Sequence, residues 1–157
     1  LMHIYPHFGL NGIRRDEFGQ TNLFQYEAID AAIGAELPKV LDPSKTYLYA
    51  IAPDSNGRLH LRIGFEHERL DRPGSKLGHP SMTQDLNREA KALIGGELRF
   101  NPTQNGWEID ENSGRYGLFP PNLLAQKGIS IQDVMQYAAF RFEAVGFRLA
   151  NINAHPQ

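Results

Sequence analysis

Three short segments carry the side chains best suited to chemistry. Lys76-Leu77-Gly78-His79-Pro80-Ser81 sets a histidine and a serine two residues apart beside a proline. Gly95-Gly96-Glu97 places paired glycines before a carboxylate, and Asn112-Ser113-Gly114-Arg115-Tyr116 is polar and ends on a phenol. Histidine titrates near neutral pH and can move a proton in either direction. A carboxylate can stabilise a developing positive charge, and a guanidinium can hold an anion through two parallel hydrogen bonds. Taken singly, each segment reads as ordinary: a loop histidine, glycines opening a strand, a polar turn. Together they say more. A hairpin over residues 95–110 would bring its two ends together, and with them Glu97 and the stretch Ser113–Tyr116. His79, Glu97, Arg115 and Tyr116 are therefore expected to line one cleft, with Ser81 and Ser113 at its edge.

Other chemistries are absent from the pattern. The chain has no cysteine, which removes disulfides, thiolate zinc sites and cysteine nucleophiles. No Gly-x-Gly-x-x-Gly, P-loop, Gly-x-Ser-x-Gly or EF-hand motif occurs. None of the six histidines sits in a His-Glu-x-x-His frame. His3 and His7 are four apart, but Pro6 argues against a helix between them. His3, His7 and His155 read as ordinary surface or core histidines.

The elements that must position these residues follow from periodicity. Tyr47-Leu48-Tyr49-Ala50-Ile51 is apolar and rich in strand formers, and Asn56-Gly57 is a hairpin-turn signal. Arg58 to Gly64 then alternates, setting Leu59, Leu61 and Ile63 on one face and Arg58, His60 and Arg62 on the other. The alternation resumes at Gly95, turns near Asn105-Gly106 and returns through Trp107-Glu108-Ile109-Asp110. Residues 1–15 read as irregular and Glu66–His79 as a loop. Helical spacing predicts a helix from Asp16 to about Leu37, and Thr83 to Leu93 is read as a further helix. Pro120-Pro121 can open a short helix through Leu124. Ser130 with Asp133 resembles a capping box, ahead of a stripe of Ile131, Val134, Met135, Ala138, Phe142 and Val145, with Gly146 as the stop. Phe147–Ile152 alternates once more and can add a last strand. The expected class is α+β: antiparallel β-hairpins forming a small sheet core, with an N-terminal helix and a C-terminal helix.

A chain of 157 residues fits a single domain, residues 1–157, that buries roughly two thirds of its unfolded surface without covalent staples. Hydrophobic residues at 41% and charged residues at 22% describe an ordinary globular protein, and 15 glycines with 10 prolines imply many turns. The net charge is −2, and basic residues are interleaved with acids, as in Glu66-His67-Glu68-Arg69. Nucleic-acid binders concentrate lysine and arginine on one face, so a protein partner is favoured over a nucleic acid. No apolar run approaches the ~20 residues of a membrane span, and no membrane partner is expected. The opening LMHIYPHFGLNGIRR lacks the order of a signal peptide and reads as a cut, so the domain is expected to be excised from a longer protein.

The order Gly-His-Pro-Ser, Gly-Gly-Glu-Leu, Asn-Gly-Trp and Asn-Ser-Gly-Arg-Tyr resembles a module of bacterial polymorphic-toxin C-terminal domains. A similar order occurs in plant IQ-motif calmodulin-binding proteins. The likeness covers roughly residues 46–152 at the level of short motifs. Two positions depart from it. Pro80 stands where the family often has Ser, which leaves the serine role to Ser81, and Arg115 stands where it often has His, which suits an anion better than proton transfer. The calmodulin connection does not carry over, because no basic IQ-type helix is present.

Toxin domains with a hairpin-rich core and a His, Tyr and Glu set resemble ADP-ribosyltransferases. That resemblance implies transfer of ADP-ribose from NAD to a macromolecular target by a secreted or delivered effector acting in the target-cell cytoplasm, with a cognate immunity protein as a further partner. Without delivery, the location implied is cytoplasmic. It assigns catalysis to Glu97, His79 and Tyr116, and NAD binding to Arg115, Ser81 and Ser113. Tyr116 would stack on nicotinamide, and Glu97 would stabilise the cation-like ribosyl centre. The alternative is a non-enzymatic protein-interaction module of immunity or adaptor type. It gains if His79, Glu97 and Arg115 point apart or into salt bridges. A hydrolase or nuclease using His79 with Glu97 has least support, lacking a basic groove or a metal motif.

Overall fold

The computed structural model describes residues 25–27, 37–64, 79–83, 86–113, 116–119 and 122–155. Strand β2 (Tyr47–Pro53) turns back into β3 (Leu59–Gly64), pairing antiparallel with Tyr49 opposite Ile63 and Ile51 opposite Leu61. Asp54 holds the turn. Its Oδ1 accepts from the backbone N of Asn56 at 2.9 Å and of Arg58 at 3.0 Å, and its Oδ2 lies 2.8 Å from Nε2 of His60. The second hairpin is β4 (Ile94–Asn101) with β5 (Gly106–Asp110), turning through residues 102–105. Both hairpins follow the strict alternation around the two Asn-Gly pairs.

β4 also pairs antiparallel with β2, which joins the two hairpins into one sheet. Strand β1 (Gln25–Glu27) pairs with the outer edge of β3, and β6 (Leu149–Asn153) lies parallel to β5. The order is β1-β3-β2-β4-β5-β6. A short helix α1 (Leu37–Val40) precedes β2, while α2 (Leu123–Gln126) and α3 (Ile131–Ala144) lie between β5 and β6. A parallel pair requires such a crossover, which is the place α3 fills. The architecture is α+β, hairpins with a helix on either side in sequence.

Two predicted helices change. The helix expected from Asp16 to Leu37 is interrupted, because Gln25–Glu27 is strand. The open edge of β3 presents backbone donors and acceptors, and pairing with them outweighs local helical spacing. The rest of that stretch before residue 37, the irregular start at 1–15 and the loop over 66–78 lie outside the described residues. Where the helix expected over Thr83–Leu93 is described, at residues 83 and 86–93, the chain forms turns and irregular backbone instead. Asn87 breaks it: its Nδ2 donates to the carbonyls of Pro53 at 2.8 Å and Lys91 at 3.0 Å, while its Oδ1 accepts from Lys91 N at 2.8 Å. An asparagine that satisfies the backbone this way competes with helix, and Ala90 adopts a φ of 49°.

One face of the sheet carries the main core. Tyr49, Ile51, Leu61, Ile63, Leu98 and Ile109 cluster with Ile131, Val134, Met135, Ala138 and Phe142 of α3. Tyr49 meets Phe142 edge-on with ring centroids 5.0 Å apart. The capping box of α3 forms as expected between Ser130 and Asp133. Gly146, at φ 97°, closes the other end, with N–H bonds from Gly146 to Glu143 O and from Phe147 to Phe142 O. That pair of bonds, with Phe147 stacked edge-on to Phe142 at 5.3 Å, is a Schellman closure.

The other face is covered as well. The 3₁₀ turn His79–Met82 lies over it, so Leu48 packs on Met82, and Ala52 packs with Ala92 and Tyr116. Alternation in β3 holds, yet His60 and Arg62 are buried on this second face. β2 lies between two strands and under two layers, which is why its sequence is apolar throughout rather than alternating.

Candidate functional site

Glu97 and Arg99 are two residues apart on β4, so both project from the second face. β5 ends beside them at Asp110, and there a side chain takes over from the backbone ladder. Oδ1 of Asp110 accepts from the backbone N of Glu97 and of Asn112, each at 2.9 Å, while Oδ2 lies 3.2 Å from a guanidinium nitrogen of Arg99. The carboxylate of Glu97 accepts from Nδ2 of Asn112 and stands 3.8 Å from Arg99.

The next residue, Glu111, is buried and reaches the segment after β6. Its two oxygens accept from the backbone N of His155 at 3.0 and 3.1 Å, and Oε1 also accepts from Nδ1 of the His155 ring. The hydrogen bond to Glu111, and then its charge, raise the pKa of His155 above the ordinary histidine value, with Asp110 contributing in the same sense. Ser113 is buried and its Oγ accepts from Tyr116 N at 3.1 Å. Glu97, Arg99, Asp110, Glu111, Ser113 and His155 line one cleft of about 550 Å³.

Glu97 and Ser113, two of the residues expected at the site, thus face this cleft. His79 and Tyr116 lie on the same face of the sheet but over Gly95, outside the cleft lining. A Cβ on Gly95, which points the same way as Glu97, would come within 3.1 Å of both His79 Cδ2 and Tyr116 Cβ. His79 is buried and its Nε2 donates to Gly96 O at 2.8 Å. Tyr116 is fully buried; its hydroxyl donates to Ala90 O and accepts from Thr83 Oγ1 at 2.9 Å. Neither ring is among the residues lining the cleft. Ser81 belongs to the turn His79–Met82, and Arg115 lies outside the described residues.

Four ionisable residues of the cleft were not singled out from sequence: Arg99, Asp110, Glu111 and His155. Alternation from Glu97 would have found Arg99. Nothing local connects Glu111 with His155, 44 positions apart. The contrast in charge is plain: three carboxylates face one guanidinium and one imidazole.

Among the described residues, no group of three or more His, Asp or Glu side chains is arranged to hold a metal ion, and no helix is long and apolar enough to cross a membrane. Comparison with family models, with curated proteins and with solved structures returns no match.

Proposed function

We propose that this domain transfers ADP-ribose from NAD to a macromolecular target, using the cleft between β4, β5 and the segment after β6. The observation that supports this reading best is the pair Glu97 and Arg99, a carboxylate and a guanidinium on one face of β4 in a cleft of about 550 Å³. That volume lies within the usual range for a small-molecule site. The two charges match the two halves of the substrate. Breaking the bond between nicotinamide and ribose develops positive charge at the ribosyl carbon, which a fixed carboxylate stabilises. The pyrophosphate suits a guanidinium, so the anion contact expected of Arg115 falls to Arg99 in this reading. His79 and Tyr116 then act by packing and hydrogen bonding beside the site.

The test is incubation of the protein with labelled NAD and a bacterial lysate. Wild-type protein is expected to label a target. Glu97→Gln keeps the shape and removes the charge, and should slow transfer by ~10²–10³. Arg99→Ala should weaken NAD binding instead. Full activity in the Glu97→Gln protein would remove that carboxylate from the mechanism.

A second reading has its own support. Glu97, Asp110 and Glu111 outnumber Arg99, and Glu97 is engaged by Asn112 and near Arg99. An acidic cleft also suits a lysine or arginine of a protein partner, as a non-enzymatic interaction module would need. Under that reading wild-type protein binds no NAD, with or without lysate, and a basic peptide competes for the cleft.

A further inference from the structure

Glu111 and His155 meet only through the tertiary fold. One follows β5 and the other follows β6, and the parallel pairing of those strands brings their ends together. The Glu111 side chain is 3% exposed and that of His155 is 65% exposed. The buried carboxylate therefore holds the histidine by its backbone and by one ring nitrogen, and leaves the ring at the wall of the cleft. An ionised carboxylate can only accept, so Nδ1 must carry its proton. In the neutral ring the lone pair is then on Nε2. A base whose tautomer and orientation are set by a third group is the arrangement that activates an acceptor.

We propose that Glu111 and His155 form the general-base dyad of this cleft, with His155 the catalytic base, Glu111 its positioning residue, and a hydroxyl group, not a carboxylate, the acceptor of the transferred ADP-ribose. The proposal rests on the transfer reading above. An acceptor hydroxyl is a poor nucleophile until its proton is removed, which is the task Nε2 can do. As the acceptor oxygen forms its bond to the ribosyl carbon, its proton passes to Nε2. The bond from that carbon to the nicotinamide nitrogen breaks, its electron pair goes to the ring, and nicotinamide leaves neutral. The dyad is left as an imidazolium beside the Glu111 carboxylate, and its proton returns to solvent. A carboxylate acceptor needs no such base. It would also approach Glu97, Asp110 and Glu111, three negative charges answered at the cleft by Arg99 and the imidazolium form of His155.

The charged groups facing His155 set the direction of its pH dependence. Glu111 and Asp110 favour the imidazolium, and Glu97 and Arg99 line the same cleft with opposite signs. Only the neutral ring is a base, so the rate should rise with pH along a limb that lies above the ordinary histidine range.

The experiment is the labelled-NAD transfer assay with the full chain and lysate, run from acid to alkaline pH with wild-type, His155→Asn and Glu111→Gln proteins. The labelled product is then treated with neutral hydroxylamine, which cleaves esters of carboxylates and spares links to hydroxyls. The dyad predicts that His155→Asn lowers the rate by ~10²–10⁴, mainly in kcat, and abolishes the rising limb. It also predicts label that resists hydroxylamine. Glu111→Gln should move the limb to lower pH, since it removes the charge that holds the imidazolium; where that protein fails to fold, His155→Asn decides alone. Wild-type transfer with an unchanged rate and pH profile in His155→Asn overturns the dyad and leaves the transfer reading standing. Hydroxylamine-labile label overturns the acceptor assignment. No transfer by wild-type protein overturns the transfer reading, and the dyad's catalytic role falls with it.

Discussion

Nε2 of His79 lies 2.8 Å from the carbonyl oxygen of Gly96, one peptide before Glu97. The contact ties the turn that covers the second face of the sheet to the strand that supplies the cleft. The His79 ring also meets Tyr116 edge-on, with centroids 6.3 Å apart, over the space left by the missing side chain of Gly95. Two residues that the sequence placed in a site, His79 and Tyr116, thus pack over Gly95, two positions before Glu97 on the same strand.

That packing can be weakened without touching the cleft. Tyr116→Phe removes the hydroxyl that donates to Ala90 O and accepts from Thr83. A buried carbonyl and a buried hydroxyl each lose a partner, at a cost of about 1–3 kcal/mol in urea unfolding. Under the transfer reading proposed above, NAD affinity should be unaltered. Full stability with lost NAD affinity would return Tyr116 to the binding site.

The two neighbouring glycines should respond differently. A Cβ on Gly96 would lie 1.8 Å from Asp110 O, a backbone atom fixed by a 2.7 Å hydrogen bond from the Tyr49 hydroxyl. Gly96→Ala is expected to give insoluble or unfolded protein. At Gly95 the nearest atoms are side-chain carbons at 3.1 Å, which can shift by a few tenths of an ångström. Gly95→Ala should fold with a modest loss. Soluble yield and circular dichroism compare the two, and equal behaviour would contradict the close approach of β5 at Gly96.

Phe142 is fully buried between Tyr49 and Phe147, in edge-on contact with both. Phe142→Ala should cost about 3–5 kcal/mol, the range for deleting a buried aromatic ring. Chemical denaturation measures it. A loss no larger than that of an exposed substitution would mean that α3 does not pack on the sheet as described.

Asp54 should shape the acid side of the stability curve. Its carboxyl is held below the usual range, chiefly by the hydrogen bond with His60 and then by the backbone N–H groups of Arg58 and Asn56. A depressed folded pKa stabilises the protein above the unfolded value of ~3.9, and that contribution is lost as pH falls through the folded pKa. Asp54→Asn should therefore flatten the fall in stability between neutral and acid pH. Thermal melts over that range report it, and an unchanged slope would detach Asp54 from the hairpin's acid response.

The hairpins and the final helix were legible because their causes are local. An Asn-Gly pair between alternating residues specifies a turn, and Ser130 with Asp133 satisfies the first backbone donors of α3 before any tertiary contact exists. Glu97 was legible for the same reason, as the first charged residue on the face of a recognisable strand. Where the chain's partners lie far away, local reading misjudged it. Gln25–Glu27 became strand by pairing with β3, and Asn87 replaced a helix by bonding to Pro53, 34 positions away.

Composition and period by themselves determined the class, the two turns and the capped helix. The tertiary structure alone decided which polar residues face the cleft and which are buried outside it. Burial and pairing depend on what the rest of the chain brings to the same place. The turn at His79–Met82 covers the second face and encloses His79 and Tyr116, and the parallel placement of β6 carries His155 to Glu111. A histidine's role is set by the group its ring nitrogen meets, and that group stands 44 residues away.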